Sequence, residues 1–297
     1  MATASNRPSN SAPSVTVGRA TTSARGRAAG VIAALLSVPL LLYLLSPIIG
    51  LLVRTTPEVW RAYACCLDAL NALRISFISA TVALCITVII GTPVAYWLAH
   101  HDFRGKGIVD SAIDLPLVLP PTAAGLALLL LLGQQGVGAW LQPYHLRIAL
   151  TPLAVVLAQV FVASPFYVKQ ARAGFEAVPR ELRLASATLG AGRARTFFRI
   201  TVPLSSHALL AGAVMTWARA LGEFGATLMF AGAFPGRTET MPIAIYTHST
   251  TNLPASIALA ATLVVVSFGV LMATRALAER RMKSSLAIQP ALDRGAA

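Results

Sequence analysis

The sequence predicts an all-α fold, a polytopic membrane protein with six transmembrane helices. Three observations carry that prediction. Of 297 residues, 56% are hydrophobic and only 12% charged, against roughly 25% charged in soluble domains. The apolar residues gather into six long runs, each long enough to cross a bilayer as a helix. The basic residues fall in short segments between those runs.

Residues 1–29 are rich in Ala, Ser, Thr, Arg and Gly without periodicity, and read as a disordered tail. The run 30–53 has 24 residues and no charge, too long for the apolar part of a signal peptide, so it reads as a retained first span. The further spans are expected at 75–99, 115–133, 148–168, 206–231 and 254–274, within a transmembrane domain of residues 30–275. Pro116, Pro120 and Pro121 make the start of the third irregular. Residues 276–297 form a C-terminal tail.

Charge gives the direction. The tail, the 100–114 loop, the 169–203 loop and the C-terminal tail hold 18 of the 24 Lys and Arg residues. The other side holds Arg54, Arg61, Arg74, Arg147 and Arg237. Lysine and arginine favour the cytoplasm, so both termini are expected inside. The net charge of +13 suits contact with anionic lipid rather than nucleic acid, because no basic groove interleaved with aromatics and no DNA-reading motif is present. Cys65, Cys66 and Cys85 form no disulfide framework, and no metal-ligand spacing occurs. No Gly-Lys-Ser/Thr phosphate loop is found, so nucleotide hydrolysis is not expected of this chain. No catalytic residue, metal or cofactor is expected.

The most informative inner segment is FEAVPRELRLASATLGAGRARTFFRITVPLS, 175–205. ELRLASATL has a helical pattern, Gly190 and Gly192 break it, and ARTFFRI sets aromatic and apolar residues among arginines. A short helix–turn–helix follows. It can dock its apolar knobs into a soluble partner or lie on lipid; the pattern alone fits both.

This segment resembles the cytoplasmic coupling loop of ABC importer permeases, over Leu184, Ala185, Ser186, Ala187, Thr188, Leu189, Gly190, Phe198, Ile200, Pro203 and Leu204. Leu184 stands where that family has Glu, and Ser186 replaces Ala; Glu181 is a nearby acid. LPLVLPPTAAGLALLLLLG at 115–133 and LGEFGATLMFAGAFPGRTETMPIAIY at 221–246 are similar to the molybdate branch, which also includes tungstate and is related to sulfate permeases. The resemblance covers about residues 70–275. It implies a MetI-like permease fold in a bacterial inner membrane. It also implies a homodimer, two separate ATP-binding cassette ATPase subunits and a periplasmic oxyanion-binding protein. Coupling to the ATPase would involve Glu181, Leu184, Ala185, Ser186, Leu189, Gly190, Arg195, Phe198 and Pro203. Molybdate is the implied substrate, with sulfate, thiosulfate or tungstate as alternatives; a secondary transporter or membrane scaffold is the alternative of another class.

Arg219 and Glu223 interrupt the fifth apolar run, four residues apart, so on a helix they share one face. An ionised group in hydrocarbon costs at least about 2.5 kcal/mol, so each needs a partner or a wet surface. A clamp between helices, a contact to a passing oxyanion and a gate all fit the spacing. Gly222, Gly225 and Thr227, with Ala218 and Ala226, offer a small-residue face for close packing or a gate. Arg237 and Glu239 are candidate contacts for an outer partner or a solvated loop, His248 reads as packing, and Asp110 and Asp114 read as helix-end charges.

Overall fold

A computed structural model of the chain describes residues 24–57, 59, 67–144 and 147–294, with side chains for 35–57, 59, 68–140, 143–144 and 147–274. All regular structure among the described residues is helical. Two compact units separate at Gly50.

The first unit carries most of helix α1 (Ala24–Arg54), which starts inside the stretch expected as tail. Ala and Arg at 24–29 are good helix formers and let the helix begin before the apolar run. Its leucines, isoleucines and valines are exposed all round, from Leu35 to Val53. A helix apolar on every side is built for lipid or for a partner. Residues 1–23, Cys65 and Cys66 lie outside the described residues.

The second unit is organised around α5 (Pro152–Glu176). Thr151 opens this helix, its hydroxyl accepting from the Ala154 N–H, and Pro152 occupies the first turn, where no N–H is needed. Ala154, Val155, Ala158 and Val162 pack with Ala226 and Phe230, while Val168, Ala171 and Phe175 pack with Ala95 and Leu98. The helix therefore contacts α2 (Leu67–His100), α4 (Pro121–Leu132), α8 (Ser206–Leu221) and α9 (Gly225–Ala231). At its far end Arg172 bonds Asp110 at 2.6 Å and Glu176 at 2.7 Å, and Lys169 meets Asp114 at 2.9 Å. Asp110 and Asp114 sit on α3 (Lys106–Val118). They are thus cross-helix ties rather than simple helix-end charges.

Two expected spans are broken. The third run is not one helix: α3 and α4 meet at 113°. Leu119 and Pro120 are extended, with ψ near 133° and 132°, because a residue followed by proline is driven out of the helical region. Helix α4 has 12 residues, about 18 Å, short of the roughly 30 Å hydrocarbon core. The fifth run is broken too, α8 ending at Leu221 and α9 starting at Gly225. Among the described residues four helices are long and apolar enough to span alone, and six spans result if two bent pairs each count as one: α3 with α4, and the helical stretch 193–204 with α8, which meet at 72°. The last described helix, α10 (Leu253–Arg294), passes well beyond the expected 274. Ile89, Ile90, Leu130, Leu131 and Phe268 are exposed apolar side chains on the outside of this bundle, as a lipid-facing surface requires.

The bent elements pack by near-contact of backbones. A Cβ on Gly125 of α4 would lie 2.6 Å from the Ala226 carbonyl oxygen of α9, and one on Gly225 would lie 2.9 Å from Pro121 Cβ. Gly125→Ala therefore forces α4 away from α9. The expected loss is about 1–3 kcal/mol, read as a lower thermal midpoint of the detergent-solubilised chain. Gly107→Ala on α3, where no atom lies within 4 Å of the new carbon, leaves the midpoint unchanged or raises it.

Candidate functional site

Two places carry the sequence-predicted residues: a hairpin after α5 and the break between α8 and α9. The hairpin consists of α6 (Arg180–Thr188) and α7 (Arg193–Leu204), the latter with a π turn at Phe197–Thr201. Gly190 has φ +77°, a left-handed conformation that costs a side-chain-bearing residue about 1–2 kcal/mol. Around it the Gly190 N–H donates to the Ala187 carbonyl and the Ala191 N–H to the Ser186 carbonyl. That is a Schellman closure, which satisfies the last carbonyls of α6 and turns the chain back.

The Ser186 and Thr196 hydroxyls bond at 2.9 Å and tie the arms together. Phe197 plugs into the bundle, its ring 5.0 Å from Tyr96 and 6.1 Å from Phe175 between centroids. Its neighbour Phe198 points the other way and is 69% exposed, and Leu189 is 88% exposed. Leu184 and Leu204 are also exposed apolar side chains, and Glu181, Ala185, Arg195 and Pro203 are exposed. The hairpin thus presents apolar knobs on a body fixed to α2 and α5. Ser186 differs from the other expected coupling residues: it is buried and structural. The Phe197 anchor was missed in the sequence, although two adjacent aromatics on a helix must point about 100° apart.

At the break, Arg219 Nη1 lies 2.7 Å from Glu223 Oε2. The pair forms although the helix has already ended between its members. Glu223 is 1% exposed and Arg219 31%. Glu223 Oε1 also accepts from the Ala226 N–H at 3.0 Å, capping a first-turn donor of α9 that would otherwise be orphaned in the bundle. Gly225 and the fully buried Thr227 lie on α9 beside this cap. Gly222 does not join the close packing expected of it. It is exposed, a Cβ there would meet only its own helix, and it lines an apolar groove of about 570 Å³ with Trp217 and Phe268. The close approach to α4 belongs to Gly225, with Gly125 opposite.

The opposite end of the bundle from the hairpin is cationic. A cavity of about 600 Å³ is lined by Gln134, Gln135, Arg147 and Arg237, and a cleft of about 340 Å³ by Asn71, Arg74 and Arg237. No ion pair to these three arginines occurs among the described residues. Glu239, expected as a possible outer contact, is instead buried and accepts from the Thr247 hydroxyl at 3.2 Å.

A lipid-facing helical bundle, with two broken helices at its centre and an apolar-knobbed hairpin at one end, defines a membrane transport subunit. The chain belongs to the family of binding-protein-dependent transport system inner membrane components, whose model matches residues 88–284. It is an ABC-importer permease, a subunit that performs no bond chemistry itself. It is 39% identical over 70% of its length to 73% of a probable transport system permease protein, NifC, of Clostridium pasteurianum. It is 38% identical over 82% of its length to 88% of a probable molybdenum ABC transporter permease of Haloferax volcanii. Its fold matches a chain of a bacterial ABC transporter that imports alginate, at TM-score 0.67 and 15% identity, covering 86% of this chain and 96% of that one. The MetI-like architecture is present as well, with TM-score 0.55 and 16% identity to a chain of the MetNI methionine transporter, over 79% of this chain and 97% of that one.

Glu223→Ala removes both the cap of α9 and the partner of Arg219. Breaking a buried ion pair costs about 3–5 kcal/mol. Because Arg219 keeps partial access to solvent, about 2 kcal/mol is the expected loss. Glu223→Gln keeps an acceptor for Ala226 and loses less. Chemical or thermal unfolding of the two variants side by side checks the order.

Proposed function

We propose that the chain is the permease of a molybdate importer of the bacterial inner membrane. It works as a homodimer with two ATPase subunits below and a periplasmic oxyanion-binding protein above, and both its termini face the cytoplasm. The observation that carries the substrate is the similarity to a relative named for molybdenum, in agreement with the GEFGATLMFAG and PGRTETMPIAIY segments. The direction is supported by the concentration of Lys and Arg on the hairpin side.

In this reading the hairpin is the handle. Leu184, Leu189 and Phe198 are its knobs, Gly190 sets its turn, and Glu181 and Arg195 fix its orientation in a cleft of the ATPase. ATP binding moves the ATPases. Phe197 passes that displacement to α2 and α5, and α7 passes it to α8, from which it is bent by 72°. The α8–α9 break, held by Arg219 and Glu223, is the element whose packing changes as access alternates. Arg74, Arg147 and Arg237 raise the potential at the delivery end, which favours a dianion handed over there. The Arg219–Glu223 pair is formally neutral, so it acts as a clamp and not as a fixed anion trap; transport requires release.

The reconstituted complex tests the substrate. Binding protein loaded with molybdate stimulates ATP hydrolysis and anion uptake, while sulfate-loaded protein does not. Stimulation by sulfate alone makes this a sulfate permease, and uptake without any ATPase makes it a secondary transporter. Leu189→Asp together with Phe198→Asp places charges on the knobs. The double variant is expected to keep its thermal midpoint, since both side chains are exposed, and to lose co-purification with the ATPase.

A further inference from the structure

Gln159 is in the middle of α5, fully buried, and neither its Oε1 nor its Nε2 has a hydrogen-bond partner. Its place on the helix says where it points. Val155, Ala158 and Val162 pack on Ala226 and Phe230 of α9, and Ala163 packs on Ala220 and Leu221 of α8. Gln159 lies between these two stripes, one turn from Val155 and from Ala163, so it faces the junction at which α8 ends and α9 begins.

Other buried oxygens on the two sides of that junction also lack hydrogen bonds: Thr216 Oγ1, Thr227 Oγ1 and Glu223 Oε2, which has only its ion pair with Arg219. Thr87, Thr201 and Thr240 elsewhere in the chain are unpaired as well, whereas other hydroxyls are satisfied within their own helix. Thr92, Ser205 and Thr262 each donate to the carbonyl four residues earlier, the usual way a hydroxyl is satisfied inside a helix. Thr216 and Thr227 do not, and a glutamine amide is too long and too polar for that solution. An unpaired amide inside a bilayer-spanning bundle is among the costlier ways to fill space; leucine or methionine fills the same volume without the penalty.

We infer that Gln159 is a positioning residue of the transport cycle: its amide is unpaired in the packing described here and hydrogen-bonds across to the α8–α9 break, at Glu223 and Thr227, in the alternate packing. Donor and acceptor match. The amide NH2 gives to Glu223 Oε2, which keeps acceptor capacity beside its ion pair with Arg219, and its carbonyl oxygen accepts from the Thr227 hydroxyl. The orphaned groups thereby raise the energy of one packing and their pairing lowers the other, which keeps the two close enough to be exchanged by ATP-driven motion. The inference rests on the permease function and is independent of which anion is carried.

The test uses the whole complex in proteoliposomes with Gln159→Met and Gln159→Asn. Methionine matches the shape and removes the polar atoms. Its variant is expected to melt at or above the wild-type temperature while ATP-driven uptake falls by about tenfold, the worth of one buried hydrogen-bonded pair in a population ratio. Asparagine keeps the amide on a shorter arm and retains part of the uptake. Wild-type uptake by the methionine variant overturns the inference, and so does a parallel fall of melting temperature and uptake, which marks an amide held by buried water for structural reasons alone. A wrong substrate assignment shows in the wild-type complex, whereas a wrong role for Gln159 shows only in the variants.

Discussion

A helix that stops inside a membrane bundle must satisfy its own ends, and here one carboxylate makes that feasible. Glu223 accepts from the first turn of α9 with one oxygen and meets Arg219 with the other. Without the cap, α9 would leave a donor bare where water is scarce. Without the arginine, the carboxylate would be a lone buried charge. The break lets the chain turn from α8 into α9, and α9 can then cross α4 at glycine distance. One of the core clusters depends on that arrangement, since Ala226 and Phe230 of α9 are what the first half of α5 packs against.

The other interruption uses a different device. Between α3 and α4 no side chain caps the helix start. Two prolines do the work instead, one enforcing an extended approach and the other sitting where no N–H is required. Helix α3 is then pinned to α5 by Asp110–Arg172 and Asp114–Lys169. These pairs are partly exposed, so each contributes little to stability. Their geometric effect is larger than their energetic one, since they set where α3 lies relative to the hairpin end of the bundle.

The sequence made some of this legible and hid the rest for physical reasons. The membrane class and most of the apolar segments follow from run length, which depends only on composition. The helix–turn–helix after α5 was visible because Gly190 is a left-handed position and the flanking pattern is helical. The two breaks were not recognised as such. Hydropathy sums over a window and is blind to a 113° bend, although Pro120 and Pro121 marked one site. At the other, Gly222 and Gly225 were read as a packing face, while only Gly225 is in close contact. Arg219 and Glu223 pair as their spacing suggested, but the capping of α9 was hidden because it needs the helix to have ended first. Gln159 carried a sequence signal, a lone amide in VVLAQVFVA, that went unread beside the more conspicuous charges.

The hairpin and the α8–α9 break are built differently. At the hairpin a closed Schellman turn, the Ser186–Thr196 bond and the Phe197 plug among Tyr96 and Phe175 favour rigidity, although Arg183 Nε and Thr201 Oγ1 there are also buried without hydrogen bonds. In the proposed function, a handle that flexed would absorb the motion it is meant to pass on. At the α8–α9 break the balance is reversed: small residues, a shared carboxylate and buried oxygens left without hydrogen bonds. Closely packed cores do not deform continuously; they exchange between discrete arrangements. A bundle that is fully bonded everywhere has one deep minimum and resists exchange. In the proposed function, a closed turn and a ring plug at the hairpin, set against small residues and a shared carboxylate at the α8–α9 break, are how a single chain can be stiff where force enters and bistable where access must change.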